Sequence, residues 1–281
     1  CFEEKIKPQV RELLTQYGPL CLIWFDVPMT LEEKHSRAIY DAIKRYQPEC
    51  LINSRLGNGA YDYVSLGDNE IPDKLPAMTM DGLDANDICG FKPSPWGLYE
   101  TAATLNNSWG YCAWDRDWKS PERVAEIRRH LNKLGINYLL NVGPDPTGVV
   151  PAPALDCLRK VGEWMRVNGE AIYATQRSEI FPPWGECIRK DEKKTSVYYL
   201  SVQWPEDGKL AFDTKYTVKE AMLLADGTKL KFTKTPGGIT IQVPTQAPDK
   251  IATVVRLELK EKLPAIQLIS NTAKAFEIAD E

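Results

Sequence analysis

Residues 22–30 read LIWFDVPMT, and one of them is out of character. Leu22, Ile23, Trp24 and Phe25 run straight into Asp26, with Val27 and Pro28 behind it. A short continuous apolar run closed by turn residues is the pattern of a strand covered on both faces, and such strands belong to parallel sheets wrapped by helices. Asp26 then lies at the C-terminal end of its strand. In open α/β sheets and in barrels that end faces the ligand, so this carboxylate is a candidate catalytic group. Capping the next helix or opening a turn is the other use such an aspartate has.

Working outward, residues 1 to about 175 alternate helix-like and strand-like segments. EEKIKPQVRELLTQYG (3–18) reads as a helix ending at Gly18, with Pro8 set to break or restart it. PLCLIWFD is the first strand. TLEEKHSRAIYDAIKRYQP (30–48) has Thr30 and Glu33 spaced as a capping box, Ala38, Ile39, Ala42, Ile43 and Tyr46 on one face, and a stop before Pro48. CLINSRLG (50–57) is another short apolar run ending in polar residues. An irregular stretch follows from Asn58 to Tyr99, long enough to be a functional loop.

AATLNNSWGY (102–111) returns to a strand. SPERVAEIRRHLNKLG (120–135) predicts a helix with Ser120 as N-cap, Pro121 in its first turn, Val124, Ile127, Leu131 and Leu134 as core stripe, and Gly135 as stop. INYLLNVGP (136–144) is a strand, and PALDCLRKVGEWMRVNG (153–169) a helix closed by Gly169. Near 172–175 the period changes from 3.6 to 2. The β-rich segments beyond, separated by Asp226-Gly227, Gly237-Gly238 and Pro turns, carry the pattern of an antiparallel sandwich. The last ~20 residues show no clear period and are read as an extra strand or a tail. Two domains are expected, residues 1–176 of α/β type and 177–281 a β-sandwich with a C-terminal tail.

With 281 residues, 26% charged and a net charge of −4, the chain has the composition of a globular protein and no basic stripe for a phosphate backbone. Nucleic acid is therefore not an expected partner. RKDEKK (189–194) and LELKEK (257–262) mix both signs and read as solvated surface. No apolar run reaches the ~20 residues of a membrane span, and no leader pattern opens the chain. Seven scattered cysteines form no CxxC pair, which excludes a zinc ribbon or a dense disulfide framework and leaves room for one or two bridges. His35 and His130 fall within predicted helices without ligand spacing. No metal site and no cofactor are expected.

Three strand ends present polar side chains: Asp26, then Arg55 with Asn53, then Asn141 ahead of VGP. The long loop adds Asp62, Asp68 and Glu70, and Trp109 and Tyr111 follow in NNSWGY. Carboxylates with aromatics at the C-terminal face of a parallel sheet point to a sugar site, because pyranose rings offer apolar C–H faces to aromatics and hydroxyls to charged groups. Glycoside hydrolysis uses two carboxyl groups flanking the bond, one of them protonated. A nucleophilic carboxylate is favoured in its charged form by a nearby cation, and Arg55, at the end of the adjacent strand, is placed by sequence to supply it.

QYGPLCLIWFD, LINSRLGNG, GDNEIP, YETAATLNNSWGY, LLNVGPDPTGVVP and GEWMRVNGEAIYAT occur in this order. Together they resemble the second half of the catalytic domain of the retaining α-L-fucosidases, glycoside hydrolase family 29. AMLLADGTKLKF and APDKIATVVRLEL likewise resemble that family's C-terminal sandwich. The resemblance covers about residues 10–260. It implies a partial (β/α)8 TIM-like barrel, its N-terminal strands missing, followed by the sandwich, and an exo-acting enzyme that removes terminal α-L-fucose from glycans by double displacement.

In that family the Asp of the WFD block is the nucleophile, here Asp26. Arg55 matches an arginine that contacts fucose, and Trp24 and Trp109 match positions lining the sugar pocket, where an apolar wall suits the C6 methyl. Many members carry the acid/base in a Thr-Pro-Glu block after the Asp-Tyr that Asp62 and Tyr63 match, and some take it from a later part of the loop. Here the corresponding residues are Leu66, Gly67 and Asp68. Asp68 is the first candidate for the acid/base, Glu70 the second, and Glu100, later in the loop, the third.

The family's three first strands bring a His-Trp block, a paired-His block and a Tyr block to the sugar, and this chain starts after all three. The expectation is a poor or inactive fucosidase when alone, one that self-associates or pairs with a complementary N-terminal half. The alternative is an inactive fragment or a non-enzymatic carbohydrate-binding or structural protein. The resemblance also implies a secreted, periplasmic or lysosomal location.

Overall fold

The computed structural model describes residues 2–26, 31–73 and 97–265. The chain divides into two compact units, one built on Cys1–Ala102 and the other on Ala103–Ile266.

In the first unit a π-helical turn at Phe2–Ile6 leads into α1 (Lys7–Gln16). Pro8 does not break this helix; it sits in the first turn, where a missing N–H costs nothing. Two-residue strands β1 (Leu22–Ile23) and β2 (Leu51–Ile52) pair in parallel, with α2 (Glu33–Tyr46) between them in sequence. The anticipated capping box does not start α2. Its N-cap is Glu32, without a side-chain cap bond, and Thr30 lies outside the described residues. The buried line of α2 is Ser36, Ile39 and Ile43, while Ala38 and Tyr46 of the expected apolar face are exposed. Ser36 joins the buried line because its hydroxyl donates to the Leu56 carbonyl at 3.0 Å. Gln47 then ties the elements together: its side-chain amide donates to the Leu14 and Gly18 carbonyls at 2.8 and 3.0 Å and accepts from Leu20 N at 2.7 Å.

The stretch expected to be irregular from Asn58 to Tyr99 contains a strand. β3 (Val64–Ser65) pairs in parallel with β4 (Tyr99–Thr104), which begins three residues before the predicted AAT start and is buried throughout. Two residues carry no readable period, which is why the sequence concealed β3.

The second unit opens with α3 (Pro121–Leu134), β5 (Ile136–Asn141) and α4 (Ala152–Asn168). Ser120 Oγ accepts from Arg123 N at 3.2 Å, and Gly135 closes α3 in the left-handed conformation at φ 75°. Val124, Ile127, Leu131 and Leu134 are buried.

Eight strands follow: β6 (Gln176–Arg177), β7 (Gly185–Asp191), β8 (Ser196–Val202), β9 (Lys209–Asp213), β10 (Val218–Leu223), β11 (Phe232–Thr235), β12 (Gly238–Gln242) and β13 (Val254–Leu259). They form two antiparallel sheets, ordered β10-β13-β8-β7-β6 and β11-β12-β9. β8 is buried on both faces, and its period of two divides it between two cores. Tyr198, Leu200 and Val202 pack against Phe212, Ile239 and Ile241 of the second sheet, whereas Val197 and Tyr199 join Trp164 of α4 and Val254. Trp164 Nε1 donates to the Ala252 carbonyl at 2.8 Å. The predicted Gly237-Gly238 turn is shifted by one residue: Thr235 pairs with Gly238, so Pro236 and Gly237 make the turn.

Among the described residues Cys21, Cys50, Cys112, Cys157 and Cys187 are free, and no helix is long and apolar enough to cross a membrane.

Gly238 is required by close approach. A Cβ there would sit 2.2 Å from the Phe212 carbonyl oxygen and 2.7 Å from Thr214 N. Gly238→Ala should therefore destabilise the second unit by about 1–3 kcal/mol. Gly237→Ala, whose nearest neighbour is an Asp213 side-chain oxygen at 3.6 Å, should cost much less. Urea unfolding followed by circular dichroism compares them.

On β7, Glu186 is pushed up to about 7 because burial outweighs the pull of Arg129, Arg128 and Lys133 of α3. The folded state thus holds the Glu186 proton more tightly than the unfolded chain. Its contribution to stability is full below the ordinary value of 4.5 and is lost as pH rises through about 7. Glu186→Gln should flatten that decline and raise stability at pH 8 by on the order of 2–3 kcal/mol, measured by thermal unfolding across pH.

Candidate active site

Asp26 lies three residues beyond β1, and a strand pair of two residues is too short to hold it. The pairing is prolonged by a side chain. Asn53, fully buried just after β2, donates from Nδ2 to the Phe25 carbonyl and accepts at Oδ1 from Phe25 N, both at 2.9 Å. The carboxamide thus does for Phe25 what a neighbouring backbone would do, and it fixes the direction in which the chain delivers Asp26.

Arg55 follows in a 3₁₀ turn, Ser54–Leu56. Its side chain is 16% exposed, whereas those of Asp26 and Asp68 are 56% and 50% exposed. Nη1 donates to Asp26 Oδ1 at 3.1 Å, while Nη2 donates to Asp68 Oδ1 at 2.5 Å and to the Leu66 carbonyl at 3.2 Å. Burial opposes the Arg55 charge, but the hydrogen bonds and charges of Asp68 and then Asp26 outweigh it, so its pKa is raised further. One sunken cation therefore holds two outward-facing carboxylates. The guanidinium also lies over the Trp24 ring, 4.7 Å from its centroid.

Trp24 is fixed from the other side. Its Nε1 donates to Glu100 Oε1 at 2.7 Å, and Tyr63 Oη donates to Glu100 Oε2 at 3.4 Å. Glu100 is only 6% exposed, and a buried carboxyl is tolerated when donors meet its oxygens. Burial, and then the charge of Glu100, raises the Tyr63 phenol far above its ordinary value, so it remains a donor at physiological pH.

Glu70 serves its own turn: Oε2 accepts from Gly67 N at 2.7 Å, and Glu70 N donates to the Gly67 carbonyl at 3.0 Å. Asp62 is turned into the framework, accepting from Tyr40 Oη and Ile52 N at 2.9 Å each and pairing with Lys44 at 2.8 Å. Between them Asn69 adopts φ 57° and donates its N–H to the Ala102 carbonyl at 2.9 Å. Trp109 and Asn141 belong to the second unit, where Asn141 Nδ2 donates to the Trp109 carbonyl at 2.7 Å.

The structure thus brings together Asp26, Arg55, Asp68, Trp24 and Glu100. The parts that sequence reasoning left without a role are the Asn53 clamp and the Tyr63–Glu100–Trp24 link. Glu100 carried a signal, since the one charged residue of the buried strand YETAAT has to find donors. Among the described residues no group of three or more His, Cys, Asp or Glu could hold a metal ion.

The pattern of the alpha-L-fucosidase family matches residues 1–170. Rat plasma alpha-L-fucosidase is 30% identical over 249 residues, which is 78% of this chain and 53% of that protein. Human tissue alpha-L-fucosidase is 27% identical over 278 residues, covering 85% of this chain and 58% of its own length. The chain therefore spans little more than half of these relatives. Among solved structures, alpha-L-fucosidase isoenzyme 1 from Paenibacillus thiaminolyticus aligns with a TM-score of 0.76 at 32% identity, over 91% of this chain and 62% of that one. AlfC from Lactobacillus casei, solved with α-L-fucose as product, aligns at 49% identity with a TM-score of 0.50, over 60% of this chain and 47% of that one. By its matched residues and these likenesses, this chain belongs to the alpha-L-fucosidase family.

Proposed function

We propose that this chain carries the catalytic carboxyl groups of a retaining exo-α-L-fucosidase acting on fucosylated glycans. In this reading residues 1–176 are the C-terminal part of a (β/α)8-type catalytic domain and 177–281 a β-sandwich domain with its tail. The observation that carries the reading is Arg55, which grips Asp26 and Asp68 at once. Carboxyl groups bridged by a single guanidinium are kept at short range, which suits the ~5–5.5 Å of retaining enzymes better than the ~6.5–9.5 Å of inverting ones.

Asp26 attacks the anomeric carbon while the glycosidic oxygen takes a proton from Asp68, leaving a covalent fucosyl-enzyme and the free aglycone. Asp68, now a carboxylate, removes a proton from water, whose oxygen displaces Asp26 and releases α-L-fucose. An ion-paired carboxylate has no proton to give. Asp68 must therefore leave Arg55 and take up a proton from solvent as substrate enters, while Arg55 keeps its hydrogen bond to Asp26. Glu70 is committed to the Gly67 turn and Glu100 to Trp24 and Tyr63, so both are poorer donors. Trp24, braced by Arg55 and Glu100, supplies an apolar wall for the fucose methyl.

The AlfC structures support the role of Asp26 and speak for roles of Asn69 and Glu100, not for Asp68. Its complex with 4-nitrophenyl fucoside was obtained with an aspartate replaced by alanine, and its fucosyltransferase mutants alter an asparagine and a glutamate 43 and 74 residues further along. In this chain Asn69 and Glu100 follow Asp26 at the same two spacings.

Three variants test these roles with 4-nitrophenyl α-L-fucoside. Asp26→Ala should abolish hydrolysis, with azide restoring turnover and yielding the β-fucosyl azide, because the small anion replaces the missing nucleophile from its own side. Asp68→Asn should slow fucosides with poor leaving groups by roughly 10²–10⁴-fold and activated ones far less. Normal activity of Asp68→Asn on natural glycosides removes Asp68 from the role. Glu100→Ala should raise the ratio of transfer to hydrolysis when a sugar acceptor is present. If azide instead rescues Glu100→Ala with retention, Glu100 is the acid/base.

A further inference from the structure

The loop between β4 and α3 follows the C-terminal end of a strand, the position from which ligand-facing loops spring in β/α folds. Residues 107–117 hold its exposed part, and their backbone is pinned from several directions. Asp115 accepts from Asn107 N at 2.9 Å and Ser108 Oγ at 2.8 Å through Oδ2, and from Asp117 N at 3.2 Å through Oδ1. Asn107 Nδ2 donates to Asp117 Oδ2 at 3.1 Å, and Asn141 holds the Trp109 carbonyl. Gly110 runs so close to Gly143 that a Cβ on Gly143 would lie 2.6 Å from the Gly110 carbonyl carbon.

This fixed loop exposes three aromatic side chains within six residues: Trp109 and Tyr111, about half exposed, and Trp114 at 86%. A lone exposed indole means little. Trp114, however, borders a shallow open cavity of about 660 Å³ whose rim also carries Arg116 and Asp117. Among the described residues the Arg116 side chain has no hydrogen bond or ion pair, and Asp117 commits only Oδ2. An apolar face beside one available cation and one available carboxylate oxygen, all on a backbone that needs no ordering, has the chemistry of pyranose recognition: the ring's axial C–H bonds on the indole, and vicinal hydroxyls between donor and acceptor.

We propose that residues 107–117 form a saccharide-binding platform, with Trp114 as the stacking face and Arg116 and Asp117 as hydroxyl partners. It takes a hexopyranoside with equatorial hydroxyls, a glycan ring other than fucose. The proposal rests on the glycosidase reading only for the choice of a carbohydrate.

The test is a titration with methyl N-acetyl-β-D-glucosaminide, followed by tryptophan fluorescence and by saturation transfer to the sugar protons. A saturable response is expected, with Trp114→Ala weakening it about tenfold or more and Asp117→Asn and Arg116→Ala weakening it less. Gly143→Ala, which touches no contact residue, should weaken binding by displacing the loop. Asp26→Ala should bind as the parent does, so the platform and the fucosidase chemistry succeed or fail separately. No saturable response, or an equal one in Trp114→Ala with unchanged circular dichroism, overturns the proposal.

Discussion

The candidate site depends on one side-chain amide standing in for a strand. β1 and β2 contribute two residues each, and a parallel pair so short leaves the chain beyond it without direction. Asn53 answers both hydrogen-bonding groups of Phe25 from a side chain that is itself fully buried. Everything at the site follows from that register. Asp26 comes next in the chain after Phe25, Arg55 comes two residues after Asn53, and their meeting is set by the distance between two adjacent backbones.

Around that pair the polar groups are graded by depth. Glu100, Tyr63 and Asn53 lie inside with their partners made, Arg55 sits at the boundary, and Asp26 and Asp68 face outward. Such layering suits a site that must keep its geometry while exchanging partners. The inner bonds are shielded from solvent, and the outer ones can be traded for those of a ligand at little cost.

The legible part of this arrangement was the part written locally. An apolar run ending in Asp26 and another ending in Asn53, Ser54 and Arg55 announce two parallel strand ends, and the caps of α3 stand in the sequence as Ser120, Pro121 and Gly135. Asp68 came from resemblance to a family pattern, since neither period nor spacing marks it. The Trp24–Glu100 bond joins residues 76 apart, and nothing in a single sequence says which strand lies beside which. Thr30 and Glu33 had the spacing of a capping box, yet α2 begins under Glu32, because spacing records what a segment is able to do and tertiary context selects among the possibilities. The unbroken burial of β8 reflects two cores that share one strand.

That sharing bears on how the protein can be divided. Tyr199 and Val197 of β8 are covered by Trp164 of α4, whose indole is bonded to the Ala252 carbonyl, and Glu170, just past α4, accepts from both Tyr199 Oη and Arg256 Nε. Anyone excising the β-rich half as a portable module would strip a tryptophan from one face of its central strand and leave a tyrosine hydroxyl and an arginine without their common acceptor. The cut that looks natural in the pattern of hydrophobicity, near residue 176, passes through a seam that the folded protein has welded, and a soluble module would have to begin upstream of α4.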